Sequence, residues 1–153
     1  MTAEPKRIYL DTCVYNRPFD DQGQPRIWLE TLAFSVILQM IEDQSVTLVT
    51  STVVGYENSQ HPDQATRVWV MQCSGLAQEN QFVDVVIRQR AAALAQEGFK
   101  AVDALHIACA EVASCHYFVT CDDRLIRRYK RKKRSLRTCT PTEFVALESG
   151  GER

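Results

Sequence analysis

The sequence predicts an α/β domain, with a central parallel β-sheet flanked by α-helices. Strand candidates alternate with helix candidates along the chain, the pattern of a parallel sheet covered on both faces. The run HYFVT at 116–120 reads as a buried strand. Acids stand directly behind strand candidates, Asp11 after the first and the pair Asp122 and Asp123 after HYFVT. With 153 residues and 45% hydrophobic composition, the chain has the size of one compact domain that buries roughly two thirds of its unfolded surface.

Ile8 to Leu10 makes a short first strand. The turn-rich NRPFDDQGQP leads into IWLETLAFSVILQMIEDQ at 27–44, where Trp28, Leu32, Ser35 with Val36, and Gln39 with Met40 recur at helical spacing. VTLVTS at 46–51 has the β-branched composition of a strand. STVVGYEN then begins a helix that Ser51 or Thr52 can cap and that carries Glu57. ATRVWVMQCSG reads as helical, as do a run near 84–97 ended by Gly98 and VDALHIACAEVA at 102–113. Beyond HYFVT, CDDRLIRRYKRK is expected as a helix with Leu125, Ile126 and Tyr129 inward, and RTCT as a last short strand. Residues 1–6 are expected as a short or disordered N-terminal segment, 7–147 as a single domain, and 148–153 as a frayed tail.

No apolar run approaches the ~18 to 20 residues of a membrane span, and MTAEPKR is too polar for a secretory signal, so a cytoplasmic protein is expected. The six cysteines form no C-x-x-C pair and several lie in apolar stretches, where a thiol packs as a small hydrophobe; neither zinc nor disulfides are expected. The formal net charge of -1 hides an asymmetry. Residues 124–137 hold nine of the eighteen basic side chains and no acid, which leaves nine basic side chains against nineteen acids elsewhere. Such a stripe is either a solvated surface or a phosphate-tracking one.

In open parallel sheets ligands bind beyond the carboxyl ends of the strands, where Asp11 and the Asp122–Asp123 pair fall. Asp103 lies in the first turn of its helix and Glu57 on the helix after another strand, so four acids can converge. Ionised carboxylates sharing a cleft need a positive centre or raised pKa values, and oxygen ligands without Cys or His suit Mg²⁺ or Mn²⁺. Taken singly each acid has a plainer role: Asp11, Asp122 or Asp123 as a cap, Asp103 as a first-turn helix acid, Glu57 as surface charge.

Taken in order, YLDTCV at 9–14, Glu57, VDALHIACA at 102–110 and FVTCDD at 118–123 resemble the PIN domain, best known in the VapC toxins. The resemblance spans about residues 7–147 and implies a parallel sheet presenting acids that bind Mg²⁺ or Mn²⁺ and hydrolyse RNA to 5′-phosphate and 3′-hydroxyl ends. It implies Asp11, Glu57, Asp103 and Asp122 as catalytic and metal-binding acids, and Thr120 as a supporting hydroxyl. It also implies a homodimer, for which the apolar helix 27–44 is one candidate surface, and raises an antitoxin protein as a partner. Cys13 stands where many relatives have Asn or Ser, so Thr12 or Asn16 is expected to supply the missing polar neighbour. Asp123 either joins the site or caps the helix. His106 is expected to pack and hydrogen-bond rather than act as a general base. The basic stripe gains a use in positioning RNA, through Arg124, Arg127, Lys130, Arg131 and Arg134. Two other readings stand beside this one: a non-catalytic RNA-binding module of the same fold, and an unrelated phosphotransferase or receiver-like domain. Cys13 at the second position of a D-x-D motif, and the lack of a strand-terminal Lys after HYFVTCDD, weigh against the latter.

Overall fold

The computed structural model describes residues 4–150. Its sheet has five parallel strands: β1 (Lys6–Leu10), β2 (Val46–Ser51), β3 (Glu79–Gln81), β4 (Tyr117–Val119) and β5 (Arg137–Cys139), in the order β3-β2-β1-β4-β5. Ile8, Tyr9 and Leu10 of the central strand are all fully buried, which requires cover on both faces. That cover comes from α1 (Thr12–Asn16), α2 (Pro25–Glu42), α3 (Thr52–Ser59), α4 (Gln64–Ser74), α5 (Val85–Gln96), α6 (Ala101–Val112), α7 (Asp123–Tyr129) and α8 (Pro141–Gly150). Helix α5 packs on α6, α6 lies against β2 and β4, and α2 packs on β2 and α8. Among the described residues no helix is long and apolar enough to cross a membrane.

Local chemistry sets most boundaries. Ser51 caps α3 by accepting from the Val53 N–H, Asp63 caps α4 through Thr66, and Asp84 caps α5 through Ile87. Gly98 follows α5 with φ of 105°, a conformation that L side chains rarely adopt, so only glycine ends that helix without strain.

Four features depart from the sequence expectations. Strand β3 arises from ENQ, which has no strand composition; Arg7 pairs with Glu79, and Gln78 accepts from the Leu48 N–H at 3.0 Å, holding this edge against β2. Helix α2 buries Ala33, Phe34, Ile37 and Ile41, while Trp28, Leu32 and Val36 point outward at 51%, 44% and 44% exposure. The periodicity was helical, but a helix apolar on most sides does not declare which face turns inward. Helix α7 stops at Tyr129, its last buried residue, because the like charges from Lys130 to Arg134 disfavour another turn. At the chain ends Lys6 belongs to β1 and residues 148–150 to α8, while residues 1–3 and 151–153 of the expected N-terminal segment and tail lie outside the described residues.

Candidate functional site

The sheet order places a topological switch between β1 and β4: the chain moves outward from β1 through β2 to β3, then returns to the other side of β1. Asp11 leaves the end of β1 and Asp122 follows β4 at this switch, and the Asp11 N–H donates to the Val119 carbonyl at 2.9 Å. Asp11 is 7% exposed and caps α1: its Oδ1 accepts from the Thr12 N–H at 2.8 Å and its Oδ2 from the Thr120 hydroxyl at 2.8 Å. Thr120 also accepts from the Asp122 N–H at 3.2 Å, so one hydroxyl ties the two strand-end acids together.

Glu57 reaches this point from α3. Its Oε1 accepts from the Thr12 hydroxyl at 2.6 Å and from His106 Nε2 at 2.5 Å, and His106 Nε2 lies 3.7 Å from Asp11 Oδ1. Burial alone would raise the Glu57 carboxyl, but the hydrogen bonds from His106 and Thr12 outweigh it and hold the group below its ordinary value. Ligand atoms of Asp11, Glu57 and His106 all lie within 4.8 Å of one another.

Asp103, in the first turn of α6, accepts no hydrogen bond among the described residues. Burial first, and then the charges of Asp11 and Asp122, push its carboxyl up to about 6. Asp103 thus lies within electrostatic reach of both strand-end acids. Asp122 caps α7, its Oδ1 accepting from the N–H groups of Arg124 and Leu125 at 2.9 and 3.1 Å, which leaves Oδ2 without a protein donor among the described residues. Asp11, Glu57 and His106 thus form one close cluster, and Asp103 and Asp122 stand at the same end of the sheet. A half-buried carboxylate with no donor, raised by two others, is an environment a divalent cation relieves, so the residues fit a divalent cation.

Other sequence candidates fall differently. Asp123 neither joins the cluster nor caps α7; Arg26 of α2 holds it at 2.6 and 2.8 Å. Arg134, expected to project freely, is engaged: it pairs with Glu97 at 2.5 Å, donates to the Tyr129 carbonyl at 3.0 Å and lies 4.5 Å over the Tyr129 ring. Arg124, Arg127, Lys130 and Arg131 are exposed and form no ion pair among the described residues. Thr12 donates to both Asp11 and Glu57, whereas Asn16 makes no bond to Asp11 and its Oδ1 is buried without a partner. Cys13 takes a different part from the polar residue it replaces. Its sulfur accepts from the Cys121 N–H at 3.3 Å and lies 3.5 Å from the Thr120 hydroxyl, cross-linking the exits of β1 and β4 without reaching Asp11. The Cys121 side chain first, and burial second, push the Cys13 thiol well above its usual range, so it stays protonated.

The family model for the PIN domain matches residues 8–132. The chain belongs to the PIN domain family. Among solved structures it is similar to a chain of VapBC2 from Rickettsia felis, described as bound to a DNA fragment from their promoter. The TM-score is 0.55 at 15% identity, over 88% of this chain and 98% of that one, a likeness of fold. No curated protein matches the sequence. The five-stranded parallel sheet of this PIN domain thus agrees with the α/β fold expected from the sequence.

Two residues in contact with the cluster escape sequence reading. Tyr9 sits in a strand that reads as apolar, yet its hydroxyl lies 2.6 Å from His106 Nδ1 and 2.5 Å from the Ser51 hydroxyl. Ser51 is legible only as a helix cap. Nothing in a single sequence signals that these polar atoms meet.

Proposed function

We propose that this PIN domain is a divalent-cation-dependent endoribonuclease, the toxin of a toxin–antitoxin pair, located in the cytoplasm. The observation that carries the reading is the placing of Asp11, Glu57, Asp103 and Asp122 at one end of the sheet, by the switch point, with Asp103 raised by burial first and then by Asp11 and Asp122. These acids would hold one or two Mg²⁺ or Mn²⁺ ions. When bound, such an ion polarises the phosphodiester and supplies an activated water at neutral pH.

The protein's own part is positioning. The Thr12 N–H and the Thr120 hydroxyl fix the Asp11 carboxylate, and Thr12 with His106 fix Glu57. Capping uses only Oδ1 of Asp122 and leaves its Oδ2 without a protein donor among the described residues. Arg124, Arg127, Lys130 and Arg131 follow directly after Asp122 and offer free cationic heads to RNA phosphates flanking the cut. No side-chain nucleophile is needed, and the products carry 5′-phosphate and 3′-hydroxyl ends. An antitoxin partner is supported by the fold neighbour's place in a VapBC complex, and a homodimer by the outward stripe Trp28, Leu32 and Val36 on α2.

The reading is tested by incubating purified protein with mixed RNAs and with single-stranded DNA, in Mg²⁺, Mn²⁺ or EDTA, and mapping the product ends. Cleavage of RNA in either metal, none in EDTA, and 5′-phosphate ends are expected. RNA that is bound but left intact in every condition would favour the non-catalytic module instead.

A further inference from the structure

Behind Glu57 lies a buried hydrogen-bond chain whose Tyr9 and Ser51 links the cleavage chemistry above does not use. Ser51 Oγ and Tyr9 Oη are 2.5 Å apart, Tyr9 Oη and His106 Nδ1 are 2.6 Å apart, and His106 Nε2 and Glu57 Oε1 are 2.5 Å apart. Three elements contribute: the end of β2, β1 and the centre of α6. Ser51, Tyr9 and His106 are 3%, 0% and 1% exposed. The Tyr9 ring is fixed from both sides, stacked on Phe118 at 5.6 Å and edge-on to the His106 ring at 5.7 Å.

The directions of these bonds follow from their ends. Glu57 is an ionised carboxylate and accepts only, so the ring nitrogen facing it must carry a proton; a lone pair at 2.5 Å from a carboxylate oxygen would be repelled. His106 Nε2 is therefore a donor whether the ring is neutral or cationic. Its Nδ1 needs an acceptor or a donor according to that state, and a phenol hydroxyl is both. Burial pushes the Tyr9 phenol well above its usual range, so the hydroxyl keeps its proton and can serve in either sense. Ser51 accepts from the Val53 N–H at 3.2 Å and has its own O–H free to complete the chain.

We propose that Tyr9 and Ser51 are positioning residues of the acid cluster: they hold His106 as a hydrogen-bond donor to Glu57, which fixes that carboxylate beside Asp11 and withdraws the imidazole from the metal-ligand set. The functional part of the proposal rests on the reading of the cluster as a cation site. The geometric part does not, because it concerns where a proton sits on His106 in the metal-free protein. Without the phenol proton donated to Nδ1, Glu57 alone would oppose the other neutral tautomer, whose Nε2 lone pair an ion could take where Asp11, Glu57 and His106 converge. With it, the site presents oxygen alone to a hard cation.

The test is a long-range ¹H–¹⁵N spectrum of the ring nitrogens of the three histidines in the full chain, with His61→Gln and His116→Gln used for assignment, recorded with and without Mg²⁺. His106 is expected to show a protonated Nε2 in both conditions. In Tyr9→Phe the Nε2-protonated population should fall, and the Mg²⁺ dissociation constant measured by calorimetry should rise by about 10-fold or more, the range seen when partners of ligand-holding groups are lost. RNA cleavage by that variant should recover toward the wild-type kcat as Mg²⁺ is raised. If Tyr9→Phe fails to fold, Ser51→Ala carries the same measurements. An unprotonated Nε2 in the wild type overturns the proposal. So does a Tyr9→Phe protein that melts lower while keeping its His106 spectrum and Mg²⁺ affinity, which would make Tyr9 a packing residue. Wild-type protein that shows the protonated Nε2 but binds no Mg²⁺ would retain the geometric arm and overturn the cation reading, so the two failures are distinguishable.

Discussion

Asp103 is the acid whose ionisation the fold opposes. Its carboxyl is raised from 3.8 to about 6, so the native state binds this proton more tightly than the unfolded chain does. In metal-free protein its contribution to stability is therefore greatest below 3.8, declines as the pH rises through the window to about 6, and stays lost above it. Asp103→Asn should raise the melting temperature of metal-free protein by a few degrees above pH 6 and by progressively less toward pH 4, as differential scanning calorimetry at several pH values would show. Equal melting temperatures across that range would remove Asp103 from the cluster. Thr120→Val tests the opposite case. It takes a donor from the buried Asp11 carboxylate and an acceptor from the Asp122 N–H, and should destabilise the protein by about 1 to 3 kcal/mol in urea unfolding. At this scale the sequence carried the acids themselves, because strand ends and motif spacing mark them. The resemblance also named Thr120 and Thr12 as supporting groups, but the Tyr9–His106 contact, 97 positions apart, leaves no local signal.

The strands and helices divide the basic stripe in two. Helix α7 and the loop after it present Arg124, Arg127, Lys130 and Arg131 to solvent, while Arg134 folds back on Glu97 and Tyr129. Changing the first four to Gln should leave urea stability nearly intact and flatten the salt dependence of log K for single-stranded RNA by about 0.7 per lost phosphate contact. Arg134→Gln should do the reverse, lowering stability by about 1 to 2 kcal/mol with little change in the salt slope. An unchanged slope in the quadruple variant would return the exposed face to plain solvation. A single sequence shows the clustering of charge but not which guanidinium finds a carboxylate. For the same reason β2 was legible to its end residues, from its β-branched run, while the polar β3 was not: its pairing comes from the neighbouring strand and from Arg7, not from its own composition.

Across the whole molecule the parallel order β3-β2-β1-β4-β5 does what no local motif can, bringing residues 11, 57, 103 and 122 to one end of the sheet. The alternation of elements and the acids behind the strands made that arrangement legible; the orientation of α2 was not, since its composition is apolar on more than one side. The outward stripe of α2 gives the proposed homodimer a direct check: Leu32→Asp with Val36→Asp should convert a sedimenting dimer to a folded monomer, and no change in mass would move the interface elsewhere. The central claim is that the gathered acids hold a cation for RNA cleavage. It is tested most directly by comparing wild type and Asp11→Asn in one RNA cleavage assay with Mn²⁺, alongside thermal melts with and without the ion. The account predicts that Mn²⁺ raises the wild-type melting temperature and supports cleavage, and that Asp11→Asn stays folded, responds weakly to Mn²⁺ and leaves the RNA intact. Cleavage by Asp11→Asn at the wild-type rate would contradict it.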